Sequence, residues 1–374
     1  MKEAILYKKL KGSLVQCTAC NHHCKIAPNK TGICGVRKNI DGKLNLLVHG
    51  RVISANIDPI EKKPLYHFLP GTEIFSIGTV GCNFGCDFCQ NFDISQASKK
   101  DGIDVEELGF ELPPQEIVNY CVAGGEVRRS IPNGTRLNKQ SGDSRAKADV
   151  DNKICSIAFT YNEPTIFSEY AVDVMKLARK HKLYGVYVSN GYFTKECFNY
   201  IQPYIDAFNI DLKSFSDEYY RKVCKSRIEP VKESIKRVFH SHRHLEITTL
   251  LIPGKNNSRK EITDLAKFIK SVSPDIPWHI SAFFPTYKMT DVEATRAEEL
   301  FRAYEIGKRV GLNYIYCGNI ANKDHSNTTC PTCKKLIIER DEPARRRGGI
   351  WKTKSCFKGT CPKCKSRIYG IWTI

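Results

Sequence analysis

Gly81-Cys82-Asn83-Phe84-Gly85-Cys86-Asp87-Phe88-Cys89 places three cysteines within eight residues, spaced Cys-x₃-Cys-x₂-Cys, directly after an apolar run that ends at Val80. The two glycines let the backbone fold tightly enough for three sulfurs to converge. Three thiolates with no fourth nearby hold three irons of a [4Fe–4S] cluster and leave the last iron open to a small chelating molecule. The alternative is a fragment of a zinc site, which requires a distant fourth ligand.

The surrounding chain has 374 residues, 41% hydrophobic and 26% charged, enough for one large α/β domain with small attachments. Residues 1–16 carry lysines but no sustained apolar stretch of the signal-peptide kind. No window approaches the ~18 uninterrupted apolar residues of a membrane span. Seventeen cysteines, an odd number, without a secretory signal point to metal ligation in a reducing compartment, and so to the cytoplasm. Eleven of the seventeen fall into three clusters with ligand-like spacing. The formal charge of +18 suggests an anionic partner, and half of it sits in the last 45 residues, which hold twelve Lys/Arg against three Asp/Glu.

Three parts follow from the pattern: an N-terminal Cys-rich segment (1–71), an α/β region (72–327) and a basic, cysteine-bearing tail (328–374). Strands are expected at 74–80, 154–160, 185–189, 208–212, 245–251 and 279–284, with 314–317 as an addition. Helices between them include one opened by Pro164, and two introduced by the capping boxes Ser258-x-x-Glu261 and Thr295-x-x-Glu298. The polar motifs follow the strands, as a parallel (β/α) barrel predicts. Residues 126–153 break the rhythm and read as a flexible insertion.

Cys17-x₂-Cys20-x₃-Cys24-x₉-Cys34 is a four-ligand set for zinc or an auxiliary Fe–S cluster, with His22 and His23 as local structure inside it. Cys330-x₂-Cys333 and Cys361-x₂-Cys364 read as zinc-ribbon knuckles, with Cys356 left over. Trp351, Phe357, Tyr369 and Trp372 lie among the tail's basic residues, where they either stack on bases of an RNA or form the ribbon's small core. Cys121, Cys155, Cys197, Cys224 and Cys317 lack ligand spacing and read as small core residues.

The cysteine loop, continuing through Gln90-Asn91 to Asp93-Ile94-Ser95, resembles that of radical S-adenosylmethionine (SAM) enzymes. More narrowly it is similar to the AmmeMemoRadiSam-system radical SAM family, relatives of pyruvate formate-lyase activating enzymes. Supporting runs are Asp58-Pro59-Ile60-Glu61-Lys62-Lys63-Pro64-Leu65, Thr160-Tyr161-Asn162-Glu163-Pro164, Pro277-Trp278-His279 and Tyr316-x-Gly318-Asn319. The resemblance implies a partial (β/α)₆ barrel in which Cys82, Cys86 and Cys89 hold a [4Fe–4S] cluster.

It also implies that SAM, chelated to the open iron, is cleaved to a 5′-deoxyadenosyl radical that abstracts hydrogen from a substrate. The electron comes from a reductant such as flavodoxin or ferredoxin. Asn162-Glu163 stands where relatives receive the SAM amino group, although Tyr161 and Asn162 replace the usual glycines; otherwise the pair caps the next helix. Ser189-Asn190 and Asp211-x-Lys213 resemble residues that hold the SAM ribose and carboxylate. The substrate is left unidentified; a glycyl-radical enzyme is one alternative, RNA or another macromolecule, suggested by the basic tail, is another, and Memo-type and Ammecr-type proteins are the implied partners.

Overall fold

The apolar runs of the middle region become one eight-stranded sheet. Its strands are β1 (Ser54–Pro59), β2 (Glu73–Gly78), β3 (Ile154–Phe159), β4 (Tyr184–Ser189), β5 (Ala207–Asp211), β6 (His244–Leu251), β7 (Trp278–Ala282) and β8 (Ile315–Gly318). They lie side by side in chain order. β1 and β2 run antiparallel, and every later pair is parallel. The computed structural model describes residues 1–123, 154–320, 324–341, 352–354 and 357–373. The expected insertion at 126–153, Trp351 and Cys356 lie outside them.

All seven anticipated parallel strands form, including the addition at β8. Their legibility has a simple cause: a parallel strand covered on both faces is a continuous apolar run, and all six residues of β3 are buried. The antiparallel edge strand β1 is mostly half-buried, with Ala55 and Asp58 its buried residues, and ends in Pro59, which suits an edge.

Longer helices separate the strands: α1 (Pro114–Val122), α2 (Ser168–Ala178), α3 (Lys195–Ile201), α4 (Glu229–His240), α5 (Arg259–Val272) and α6 (Ala297–Val310). Ser258 caps α5 by accepting the Glu261 amide, but the Glu261 carboxylate turns away to Ser214 and the Phe215 amide. The box expected at Thr295 and Glu298 is displaced by one residue. Glu299 accepts the Arg296 amide at 3.1 Å, because the Thr295 hydroxyl is spent on the Leu251 carbonyl. Among the described residues no helix is long and apolar enough to cross a membrane.

The N-terminal residues form two small antiparallel sheets, Lys2–Glu3 with Lys43–Leu46 and Arg37–Ile40, and Tyr7–Lys9 with Val15–Cys17 and Lys25–Ile26. Arg37 fastens them to α2. Its fully buried guanidinium meets the Glu169 carboxylate at 2.5 and 3.0 Å and the Ile166 carbonyl at 2.9 Å. Glu169 also accepts the Ile5 and Leu6 amides.

The tail is fastened at residues 66–69. Backbone bonds run from Ile371 to the His67 carbonyl and from Leu69 to the Ile371 carbonyl. The buried His67 ring donates to the Tyr369 carbonyl at 2.6 Å and accepts from the Tyr316 hydroxyl at 2.5 Å. Below it Glu246 of β6 accepts the Tyr66 and His67 amides and meets the rings of His244 and His279.

Candidate functional site

The cysteine loop leaves the end of β2. Gly81 opens it at φ +94°, and a Cβ there would lie 2.7 Å from the Cys34 carbonyl oxygen, so only glycine fits. Cys82 and Cys86 are buried and Cys89 is half-buried. The loop is clasped from β5's side: the Gly85 amide donates to the Cys224 carbonyl at 3.1 Å and the Asp87 amide to Val223 at 3.0 Å. Lys99 donates to the Phe84 carbonyl at 2.5 Å. The Cys89 sulfur lies 3.2 Å from the Ser95 hydroxyl.

Burial pushes the Cys82 and Cys89 thiols up, and Cys86 rises through its hydrogen bond with Cys224 together with burial. None of the three ionises unaided near neutral pH; a metal has to draw the protons off.

Three more strand ends converge on this loop. After β3, Asn162 donates to the Thr79 hydroxyl at 3.0 Å and to the Gly81 carbonyl at 2.8 Å. Glu163 is fully buried and spends both carboxylate oxygens inside the protein. It accepts from Thr165 (amide 3.0 Å, hydroxyl 2.5 Å), the Ser189 hydroxyl (2.8 Å) and the Asn190 amide (2.7 Å). It therefore caps the turn that Pro164 opens and ties the ends of β3 and β4 together. Burial raises its pKa, with these donors pulling the other way.

From β4, Asn190 donates to the Asn83 side chain at 2.7 Å. From β5, the Lys213 ammonium meets the Asp211 carboxylate at 2.8 Å and lies 5.6 Å from the Phe88 ring centre. Burial opposes the Lys213 charge, but Asp211, Cys86 and Cys224 together outweigh it and raise the pKa well above the usual lysine range.

Two atoms in this group have no partner. Among the described residues, the buried Asn162 Oδ1 and Asn83 Nδ2 make no hydrogen bond. An unpaired buried polar atom is costly, so such a pair beside one loop marks a place for a ligand. Asn83 and Cys224 carried no site signal in the sequence. Asn83 lay inside the motif unremarked, and Cys224 had no spaced partner, although it follows the same strand as Asp211 and Lys213.

The other two cysteine sets differ from each other. Cys330, Cys333, Cys361 and Cys364 draw their sulfurs within 4.8 Å of one another. Cys330–Cys364 is 3.5 Å and Cys333–Cys361 is 3.6 Å, with the Ser366 hydroxyl 3.3 Å from Cys330 and 3.1 Å from Cys364. Burial opposes ionisation of Cys330, yet Ser366 and the Cys333 and Thr332 amides bring its pKa down to about 6. Cys17, Cys20, Cys24 and Cys34 instead line a cavity with Gly32, Arg37 and Ile166.

The tail aromatics Phe357, Tyr369 and Trp372 pack around Cys330, Cys361, Tyr66 and Tyr316 as a small core. Their ring contacts run to His67, His244 and one another.

Residues 76–269, which include the cysteine loop, match the radical SAM superfamily. The uncharacterized protein MJ0808 of Methanocaldococcus jannaschii is 36% identical over 342 residues, covering 91% of this chain and 92% of that protein. Among solved structures, a radical SAM methyltransferase from Sphaerobacter thermophilus is 15% identical at TM-score 0.48, over 72% of this chain and 71% of that one. A domain of a pyruvate-formate lyase-activating enzyme from Bacteroides vulgatus is 22% identical at TM-score 0.38, over 43% of this chain and 98% of that one. The superfamily match spans more than half of the sequence, Cys82, Cys86 and Cys89 included, and the chain therefore belongs to the radical SAM superfamily.

Proposed function

We propose that this radical SAM enzyme is of the AmmeMemoRadiSam-system type, with a [4Fe–4S] cluster on Cys82, Cys86 and Cys89 and SAM beside it. The observation that carries the reading is the unpaired Asn162 Oδ1 and Asn83 Nδ2 next to the three-thiol loop. An acceptor and a donor left open there fit a zwitterionic amino acid headgroup, so the residues suit the cofactor pair. When bound, the cluster supplies the electron that cleaves SAM reductively to methionine and a 5′-deoxyadenosyl radical, which abstracts hydrogen from the substrate.

The protein's own part is to hold and orient. Asn162 Oδ1 would receive the SAM ammonium. Lys213, paired with Asp211, would meet the carboxylate, and the partly exposed Asp211 oxygens would accept ribose hydroxyls. The fully buried Glu163 acts as a positioning residue, holding Ser189 and Asn190 so that Asn190 fixes Asn83. Burial of the loop keeps water from the radical.

The sheet is the working part of a partial barrel in 72–327, flanked by the Cys-rich segment 1–71 and the ribbon 328–374, whose four sulfurs suit zinc. A flavodoxin or ferredoxin delivers the electron in the cytoplasm, and Memo-type or Ammecr-type proteins are candidate partners.

Anaerobic reconstitution, dithionite and SAM should yield 5′-deoxyadenosine, and Asn162→Leu should lower the yield at least ~10-fold, as for loss of one charge-assisted contact. An intact cluster that gives none overturns the reading. The substrate is a protein glycine in the activase reading. An RNA reading is favoured by one observation: Lys334, Lys335, Lys358, Lys363, Lys365 and Arg367 are all exposed on the tail. Reversing Lys363, Lys365 and Arg367 should then weaken tRNA binding and flatten its salt dependence; no change removes that reading.

A further inference from the structure

We propose that the groove between α5 and α6 holds the phosphate backbone of an RNA whose path continues over the basic tail. The inference rests on the RNA reading above and carries it onto a surface outside the tail.

The groove has a volume of about 730 Å³. Its walls carry Arg259, Lys267 and Lys270 from α5 and Arg309 from α6, with the Thr263 and Ser271 hydroxyls between them and no acidic residue. Arg259, Thr263, Lys267 and Lys270 recur at helical spacing, so one face of α5 presents three cations over about 16 Å at 1.5 Å per residue.

Elsewhere on these helices cations are matched. α5 itself pairs Lys260 with Asp264 at 2.6 Å, outside the groove lining, and α4 pairs Lys232 with Glu229 and Lys236 with Glu233, each at 2.8 Å. The four groove cations are all exposed, and among the described residues none of them makes an ion pair. Helix capping explains part of the set: Lys270 and Arg309 stand in the last turns of their helices, and Lys270 donates to the Val310 carbonyl at 2.7 Å. It does not explain Arg259, which opens α5 at the end where the helix dipole opposes a cation.

The strip runs on into the tail. Burial, and then the like charge of Lys334 in the first knuckle, push the Lys308 pKa down, with Glu305 pulling the other way. Two lysines set against each other where α6 meets the tail create a positive field that a polyanion neutralises. Lys334 belongs to the exposed cations of the tail, so groove and tail form one basic surface.

The lining selects the occupant. A protein partner is anchored by aromatic or large apolar side chains at the centre of the contact. Here the apolar wall is Ile306 and Val310, with no aromatic ring. Lys, Arg and hydroxyl side chains are what meets phosphate oxygens in the polar, strongly positive interfaces with nucleic acid. The helices return antiparallel to the strands, so their last turns lie at the opposite end of the sheet from the cysteine loop. A substrate held here and acted on at that loop has to span the length of the strands, as a folded RNA does.

The test follows binding of fluorescently labelled bulk tRNA to the full chain by anisotropy across a salt series. Lys267→Gln/Arg309→Gln should weaken binding at least ~10-fold and flatten the slope of log affinity against log salt by about 2, one per phosphate contact removed. Its iron content and its dithionite-driven 5′-deoxyadenosine yield without RNA should match the wild-type chain, which shows that the variant is folded. Unchanged affinity and slope in this variant, while reversal of Lys363, Lys365 and Arg367 loses the tRNA, overturn the groove and leave the RNA reading standing. No tRNA binding by the wild-type chain overturns the RNA reading and the groove together. Polyglutamate that binds the wild-type chain as tightly as tRNA, and is lost in the groove variant, assigns the groove to an acidic protein and overturns the proposal.

Discussion

The two four-cysteine sets near the ends of the chain use the same residue for different structural ends. The tail set comes from two tight knuckles whose sulfurs touch, and the small core around it is built on the cysteines themselves. The N-terminal set comes from a longer loop whose shape is enforced from outside by Arg37, α2 and the end of β4. In the tail the four sulfurs sit at the centre of their small core; at the N-terminus contacts from outside shape the cysteine loop. The difference shows in what each set depends on, and it can be broken at either end.

If the tail sulfurs hold zinc, as proposed, the largest effect is expected from stripping it. A structural zinc site contributes about 10 kcal/mol or more to the folding of its module. A strong chelator should therefore open residues 328–374 to proteolysis by at least ~100-fold, while the sheet region stays resistant, because its core is built from β1–β8 and the helices. Equal protection of the tail with and without chelator would show that His67, Glu246 and Tyr369 hold it without the ion.

The N-terminal counterpart is Arg37→Met. Removing one partner from a buried pair leaves the other uncompensated, and such losses run at about 3–5 kcal/mol. The guanidinium-chloride midpoint should fall accordingly, and Arg37→Met/Glu169→Gln should recover a good part of it, since a glutamine still accepts the Ile5 and Leu6 amides. No recovery in the double variant would mean that Arg37 matters for the cavity and not for Glu169.

The legibility of these features in the sequence divides along physical lines. The parallel strands were readable because burial on both faces forces apolar runs, and the cysteine motifs because spacing is itself the chemistry. What escaped were residues whose role comes from long-range juxtaposition. The Thr165, Ser189 and Asn190 donors that Glu163 gathers come from two strand ends, which no local pattern announces. β1 escaped because an edge strand need not be apolar. The Arg37–Glu169 pair spans 132 positions, and no local pattern carries such a contact.

Acid should separate the two ends further. Burial, against the pull of Glu246, holds the His67 pKa down at about 3, compared with 6.5 for a free histidine. Between those values the unfolded chain takes up a proton that the folded chain refuses, so stability falls as the pH falls through about 6.5. The ring is already committed as donor to Tyr369 and acceptor from Tyr316, which a charged imidazolium cannot satisfy. From pH 7 to pH 5 the loss should approach about 2 kcal/mol at 1.36 kcal/mol per unit. Hydrogen exchange at residues 367–371 should report it first, and His67→Gln should flatten the profile. A pH-independent tail with His67 intact would place the docking energy in the apolar contacts instead.

The smallest effect tests the tail set's own chemistry. The Ser366 hydroxyl stands 3.3 Å from Cys330 and 3.1 Å from Cys364, bridging sulfurs of the two knuckles. A donor to a metal-bound thiolate disperses part of its charge and fixes its orientation, and losing one such partner typically costs 10-fold or more in metal affinity. Ser366→Ala should therefore weaken zinc binding by about 10-fold in a competition titration, and it should leave iron and sulfide content unchanged, because its hydroxyl meets Cys330 and Cys364 and not the Cys82–Cys89 loop. A drop in iron would join the two ends that the geometry keeps apart. An unchanged zinc affinity would assign the stability of the knuckles to the Cys330 and Cys361 backbone turns, where the Lys334 and Lys365 amides already donate to those carbonyls at 3.0 and 2.9 Å.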